Sequence, residues 1–344
     1  MKRIRSGSID LTYECNFRCL HCFNSSGEHH NPRPKMTDDE YVKIALEIAS
    51  NEPDSICLCG GETMLRKELI QKICKAIKTS PYKNVSVCVV SNGYLIDDET
   101  ADMLASCNLE VIQISLDGAT AESHDWLRNK PGSFEHAIAA IKRLVARGMN
   151  VAVSFTPTKK NVHELNDAID LAHDLGVKFF RFQPTMSLGR ARKNLQDYLL
   201  DYEDYLQLKI LADRKRMKYY ANGAFTIEWG DPIDHLKYGL QPGNILYALS
   251  VNAYGDIMIS PYLPLVFGNI RETKLDDYFK AGIMEVSHNP VVRKIVENIH
   301  SVDDMDVSRY GLPEIYLSEN INLDILSPDY EEKTQKLLEQ MNQM

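Results

Sequence analysis

The sequence predicts an α/β fold built on a parallel, barrel-like sheet, and three observations carry that prediction. Short β-branched runs alternate with helical patterns from the start of the chain to about residue 220. Such alternation calls for parallel strands joined by right-handed crossovers. The predicted strands end in Cys, Ser, Gly and acidic residues, and barrel-like parallel sheets carry their chemistry at the C-terminal strand ends. Finally, Cys15, Cys19 and Cys22 stand in one loop directly after the first strand, spaced C-x3-C-x2-C.

Taken in order, strands are predicted at 8–11, 55–59, 85–90, 111–116, 151–156 and 178–182. Helices are predicted between and after them at 38–50, 67–79, 98–106, 134–147, 162–175 and 201–217. Thr37-Asp38-Asp39-Glu40 is a capping box that opens the first helix. Gly148 and Gly176 occupy helix C-cap positions. From about Gly223 the pattern changes. Segments 224–229, 245–251 and 257–260 read as antiparallel strands with a turn at Gly255, and helices follow at 275–281 and 291–298. An amphipathic helix at 330–341 closes a polar tail. The domain reading is therefore a core at 1–222, an extension at 223–300 and an acidic tail at 301–344.

At 344 residues the chain can bury a large core. The net charge is −9, and residues 271–344 hold 15 acidic and 8 basic side chains. That balance opposes a nucleic-acid backbone, so no nucleic-acid partner is expected. The basic first residues are not followed by an apolar stretch, so they are no signal peptide. No apolar run approaches the ~20 residues of a membrane span. A cytoplasmic location without membrane contact is expected, and eight cysteines fit a reducing compartment.

All eight cysteines lie at or before Cys107, and only Cys15, Cys19 and Cys22 are grouped. Thiolates are the ligands of iron–sulfur clusters, and a cubane normally takes four. Three in one tight loop leave one iron open for a ligand from outside the chain. Zinc asks for four closed ligands, commonly paired C-x2-C or H-x3-H motifs, and no second such pair follows.

Cys15-x3-Cys19-x2-Cys22 resembles the signature of the radical S-adenosylmethionine (SAM) superfamily. Further motifs fall in register on successive strand ends: Cys59-Gly60-Gly61-Glu62-Thr63, Ser91-Asn92-Gly93 and Ser115-Leu116-Asp117-Gly118. Residues 8–190 as a whole resemble the partial (β/α)6 TIM-like barrel of that superfamily, in the group with SPASM or twitch extensions. The resemblance implies one [4Fe–4S] cluster on Cys15, Cys19 and Cys22, and SAM chelating the open iron. It implies that Gly60, Gly61, Glu62 and Thr63 hold the SAM amino group, with Thr63 replacing the family's proline. Ser91, with Asn92 beside it, and Ser115 then contact the SAM carboxylate and ribose. Asp117 either joins these SAM contacts or caps the following turn, and Arg128 either pairs with the SAM carboxylate or is a surface residue. Phe180 and Phe182 border the adenine or belong to the core, and Gly189-Arg190 faces the barrel mouth. Twitch-type cysteines are missing from Ser260-Pro261-Tyr262-Leu263-Pro264, so the extension is expected to lack an auxiliary cluster.

The implied activity is cleavage of SAM to a 5′-deoxyadenosyl radical that removes a substrate hydrogen. The implied substrate is a ribosomally made peptide undergoing crosslinking, thioether formation or epimerisation. A small molecule such as a sugar or aminoglycoside is the alternative, and a non-catalytic iron–sulfur protein a distant third. Partners would be a flavodoxin or ferredoxin; since only 14 residues precede Cys15, peptide recognition is expected from a separate peptide-recognition protein or from the C-terminal region. Strand alternation places Cys57 and Cys59 on one face, with Cys59 at the strand end as a candidate hydrogen-atom donor to a substrate radical.

Overall fold

The computed structural model describes residues 3–28, 31–219, 223, 225–230, 232–241, 246–300, 302–305, 307–312 and 320–343. Ala224 and Ile245, with which two predicted strands begin, and parts of the 301–344 tail lie outside the described residues.

The strands are β1 Ile4–Asp10, β2 Ser55–Cys59, β3 Ser86–Ser91, β4 Val111–Ser115, β5 Val151–Phe155, β6 Phe179–Phe182, β7 Thr226–Trp229 and β8 Leu246–Val251. Short strands β9 Asp256–Met258, β10 Leu265–Val266, β11 Gly268–Asn269 and β12 Ile321–Asn322 follow. The main sheet runs β11-β9-β8-β1-β2-β3-β4-β5-β6-β7, while β10 and β12 pair separately. All pairs from β8 through β1 to β7 are parallel. Helices α1 Asp38–Ala49, α2 Lys67–Thr79 and α3 Asp98–Ser106 make the first three crossovers. Helices α4 Ala121–Arg128 and α5 Ser133–Ala146 span β4 to β5, and α6 Leu165–Asp174 spans β5 to β6. Then α7 Gly189–Asn194 and α8 Tyr202–Tyr219 lead into β7, and α9 Asp234–Gly239 into β8. Past the sheet come α10 Leu275–Lys280, α11 Pro290–Glu297 and α12 Tyr330–Asn342.

Local sequence accounts for most of these elements. The capping box forms: Glu40 N donates to the Thr37 hydroxyl while Thr37 N donates to the Glu40 carboxylate. Gly148 and Gly176 adopt φ of +72° and +80° just past their helices, where a Cβ would be strained.

The parallel sheet carries two strands beyond the expected six, and the antiparallel reading of 224–229 with 245–251 is corrected. Strand β7 pairs in parallel with β6, Phe180 opposite Ile227. Strand β8 pairs in parallel with β1, Ser8 opposite Ser250, at the other end of the sheet. The reason is connectivity: each strand follows a helix and returns in the direction of the strands before it. Only β8 and β9 form the expected hairpin, closed around Gly255 at φ +87°. The terminal helix docks on α11, where Asn289 Nδ2 donates to the Tyr330 hydroxyl at 2.8 Å and Leu337 and Met341 are buried.

Packing is one-sided. Ile56, Leu58, Val87, Val89, Ile112 and Ile114 point outward and are buried in one cluster with Ile44, Ile48, Leu69, Ile73 and Ile141 of the helices. The alternate residues Ser6, Ser8, Asp10, Cys57, Cys59, Cys88 and Gln113 face the inner side and are only half-buried. Small and polar side chains line that side, and the C-terminal ends of β1 and β2 meet at the cysteine loop, where Leu11 N donates to Cys59 O.

Candidate active site

The cysteine loop follows β1 and is gripped by the end of β2. Leu11 N donates to Cys59 O at 2.9 Å, Gly61 N to Thr12 O at 2.6 Å and Glu62 N to Glu14 O at 2.9 Å. A Cβ on Gly61 would lie 2.0 Å from Glu14 O, and one on Gly60, at φ +129°, 2.4 Å from Thr12 O. The glycines expected to let backbone approach a ligand thus let it approach the start of the cysteine loop.

A second grip comes from α7. Gly189 lies under Cys22 and Phe23, where a Cβ would come within 2.3 Å of Phe23 O. Arg190 is buried beneath the loop instead of facing the barrel mouth. Its Nε donates to Cys19 O at 2.8 Å and its Nη1 to Ser26 O at 3.0 Å, while Arg190 N donates to Cys22 O at 2.9 Å. Arg18 Nη2 closes the loop on Gly27 O at 2.7 Å.

The three thiols are free. Phe17 N donates to Cys15 Sγ at 3.4 Å, and Arg128 Nη1 stands 4.0 Å from Cys19 Sγ. Burial pushes Cys15 up, and pushes Cys19 up to about 12 against the pull of Arg128. Such thiols ionise on binding a metal centre, which releases their protons. Among the described residues, no three His, Cys, Asp or Glu converge on a single ion. The buried Asn16 Nδ2 and Ser25 Oγ have no hydrogen-bond partner, which fits a loop folded around a group that brings its own acceptors. The donor set and the loop therefore fit an iron–sulfur cluster.

The ends of β2, β3 and β4 lie beside this loop. Glu62 is buried; it accepts from Ser91 Oγ at 2.7 Å, Met64 N at 2.9 Å and Asn92 N at 2.9 Å. Burial pushes its carboxyl pKa up, opposed by these bonds. A carboxylate offers about four lone-pair positions, and three are filled from within the chain. Ser91 also accepts from Gly93 N at 3.0 Å. Asn92 Nδ2 donates to Asn16 Oδ1 at 2.8 Å, which ties β3 to the cysteine loop. Thr63 is buried and donates to Val90 O at 2.7 Å. Ser115 is buried at the end of β4, opposite Ser154 of β5.

Asp117 and Arg128 meet as a buried ion pair, Nε to Oδ2 at 2.6 Å. Arg128 is therefore no surface residue, and Asp117 holds more than its own turn. Asp117 Oδ1 accepts from Thr156 N at 2.9 Å, and His21 Nε2 stands 3.8 Å from Oδ2. Burial acts to raise the Asp117 carboxyl, but Arg128 and the two neighbouring histidines outweigh it and hold it below the usual range.

Residues 9–178 match the family model described as Radical SAM superfamily. The chain carries a radical SAM domain. It is 26% identical over 283 residues to the sporulation killing factor maturation protein SkfB of Bacillus subtilis, covering 79% of this chain and 64% of that protein. It is 29% identical over 299 residues to the subtilosin biosynthesis protein AlbA of Bacillus subtilis, covering 84% and 60%. The chain thus spans less than two thirds of either relative's length. In fold it resembles SuiB of Streptococcus suis bound to S-adenosylmethionine, with a TM-score of 0.67, 14% identity, and 92% and 76% of the two chains covered. Radical SAM enzymes, the family to which the domain belongs, use a [4Fe–4S] cluster and SAM.

Elsewhere in the sheet, Phe180 and Phe182 of β6 are core residues, fully buried. Cys59 lies on the inner face of β2, its thiol 3.3 Å from that of Cys57. Between β6, β7 and α9 lies a cavity of about 620 Å³, lined in part by Arg181, Gln183, Glu228, Trp229, His235 and Tyr262. In the 260–264 segment, where a twitch extension would carry cysteines, Tyr262 packs its ring edge-on to Phe23, next to Cys22, at 5.0 Å.

Sequence reasoning missed the outer clamp on the cysteine loop. Arg33 makes a two-pronged pair with Asp256 at 2.7 and 2.8 Å and lies over the Tyr254 ring. Asp256 also accepts from Asn252 Nδ2 and Asn269 Nδ2. The Asn252-Ala253-Tyr254-Gly255-Asp256 turn was visible as a turn, but nothing local in it points to residue 33. Among the described residues, no helix is long and apolar enough to cross a membrane.

Proposed function

We propose that the chain is a radical SAM enzyme that modifies a ribosomally made peptide. The carrying observation is the cysteine loop: three free thiols, clamped by Gly61, Arg190 and Asn92 at the open end of a parallel sheet. In this reading Cys15, Cys19 and Cys22 bind three irons of a [4Fe–4S] cluster and leave the fourth for SAM. When bound, that pair supplies a 5′-deoxyadenosyl radical. Glu62 takes the SAM ammonium on its remaining lone pair, a charge-assisted bond. Gly60, Gly61 and Thr63 shape that wall, and Ser91, Asn92, Ser115 and Arg128 border the carboxylate and ribose. Asp117 holds Arg128 in place from behind. The loop's clamps keep the thiols fixed while the half-buried inner face of the barrel receives the substrate.

The peptide assignment draws on the relatives' names, a maturation protein and a bacteriocin biosynthesis protein. A polar small molecule is the second reading, favoured by the 620 Å³ cavity, a size typical of small-ligand sites. A flavodoxin or ferredoxin would supply electrons, and a separate protein could present the peptide.

Anaerobic reconstitution is expected to give about four irons per chain, and SAM with reductant to give 5′-deoxyadenosine. Replacing the three cysteines by alanine should abolish both. Any short reading frame found near the coding gene would be made as a peptide and assayed as a substrate by mass spectrometry. A chain that binds about four irons yet never cleaves SAM would overturn the catalytic reading.

A further inference from the structure

Strand β2 buries Ile56 and Leu58 completely against the helices, while Cys57 and Cys59 stay half-buried on the inner face. Buried free cysteines commonly act as small apolar packing residues, and Cys74 and Cys107 do so in the outer cluster. Cys57 and Cys59 differ in place and in pairing. Their sulfurs are 3.3 Å apart, with the Cys59 thiol donating to Cys57. Register sets Asp10 opposite Cys59, and Ser8 and Cys88 on either side of Cys57. Cys59 also immediately precedes the Gly60-Gly61-Glu62 segment at the open end of the sheet.

Two strand residues two apart have Cα atoms about 6.6 Å apart at a rise of ~3.3 Å per residue. That lies at the upper end of the disulfide range of about 4.4–6.8 Å. A bond closed between them would be strained and easily reduced, as labile disulfides are. The pair is therefore suited to passing through a sulfur–sulfur state without being trapped in it.

We propose that Cys57 and Cys59 together form a two-thiol hydrogen-atom donor to a substrate radical held in the barrel, an inference that rests on the radical SAM reading above. The Cys59 S–H bond breaks as a C–H bond forms on the substrate carbon, leaving a Cys59 thiyl radical. The neighbouring Cys57 sulfur joins it with loss of a proton, giving a disulfide radical anion. One electron from a donor of the flavodoxin or ferredoxin class, with two protons, restores both thiols. The net change is one electron and one proton delivered to the substrate radical. Cys57 is the part that a lone donor would lack, since it takes up a thiyl radical that would otherwise persist.

Two measurements on the reconstituted holoenzyme test this. In the first, phenylarsine oxide, which bridges adjacent thiols, is added anaerobically and the protein is mapped by mass spectrometry. The tryptic peptide covering residues 44–66 contains Cys57 and Cys59 and no other cysteine. It should carry one arsenical in the wild type and none in Cys57→Ala or Cys59→Ala. In the second, SAM and reductant are supplied in D2O without substrate, so that the radical draws on the nearest exchangeable hydrogen. Wild-type 5′-deoxyadenosine should contain deuterium, and that from Cys59→Ala and Cys59→Ser should contain none, at wild-type iron content. Cys57→Ala should still transfer deuterium but stop after about one equivalent per chain. Deuterium-free product from the wild type, or arsenical binding that survives the substitutions, overturns the dithiol alone. Absence of any 5′-deoxyadenosine from the iron-loaded wild type overturns the underlying reading, and the dithiol with it.

Discussion

Arg128 Nε meets Asp117 Oδ2 at 2.6 Å directly behind Cys19, with Asp117 wholly shut off from solvent. Removing one partner of a buried ion pair leaves an uncompensated charge and typically costs about 3–5 kcal/mol. Asp117→Asn should therefore lower the unfolding free energy of the metal-free chain, read from urea titration, by that order and reduce iron retention. The paired change Asp117→Leu with Arg128→Met should recover most of the stability but not SAM binding. A single variant as stable as wild type would show that water reaches the pair.

Glu62 joins the ends of β2 and β3 through Ser91 and Asn92. Because its carboxylate answers three donors, Glu62→Ala should cost stability as well as SAM affinity. Stranded buried donors cost about 1–3 kcal/mol each, so ~3 kcal/mol is expected by denaturant unfolding. SAM affinity, measured by equilibrium dialysis on the iron-loaded variant, should fall at least tenfold, equal to ~1.4 kcal/mol. Unchanged affinity in a stable variant would confine Glu62 to its structural role.

Gly61→Ala should disturb the cysteine loop from outside it. The new Cβ would sit 2.0 Å from Glu14 O, so one backbone must move. Overpacking of this kind costs about 1–3 kcal/mol. Iron incorporation should drop while the far-ultraviolet circular dichroism stays unchanged, because the helices are not touched. Full iron loading would mean that the loop tolerates the shift.

His124 gives the protein an acid-sensitive contribution. Its Nδ1 accepts from Asp117 N at 3.0 Å, and burial, followed by Arg128, pushes its pKa down to about 4. Unfolded, it would titrate near ~6.5. Between those values the unfolded chain binds more protons, so stability falls as pH falls. At ~1.4 kcal/mol per unit the effect reaches about 3 kcal/mol by pH 4. Asp10, which burial pushes up to about 7, acts in the opposite direction over this range. The measurement is therefore a comparison of wild type with His124→Asn at pH 7 and pH 4.5. The variant should lose less stability on acidification, and an equal loss would refute the assignment.

The repeating units and the chemistry of the loop were legible in local stretches of the chain. Periods of two and 3.6 residues, the Thr37–Glu40 capping box and the glycines past α5 and α6 are local. Their forms follow from backbone sterics within a few residues. The C-x3-C-x2-C spacing is likewise local, as is its position after a strand. Tertiary structure decided what those local features touch. Whether Leu246–Val251 joins the barrel or pairs beside Thr226–Trp229 depends on which sheet edge is open, and both arrangements suit the same alternating sequence. Gly60 and Gly61 signalled a close approach, but only the fold showed that residues 12–14 are what approaches. The clamps on the cysteine loop, Arg190 on Cys19 and Arg33 on Asp256, join residues 171 and 223 positions apart. An arginine carries no local sign of its acceptor, because the bond forms only when the completed sheet brings the two segments together.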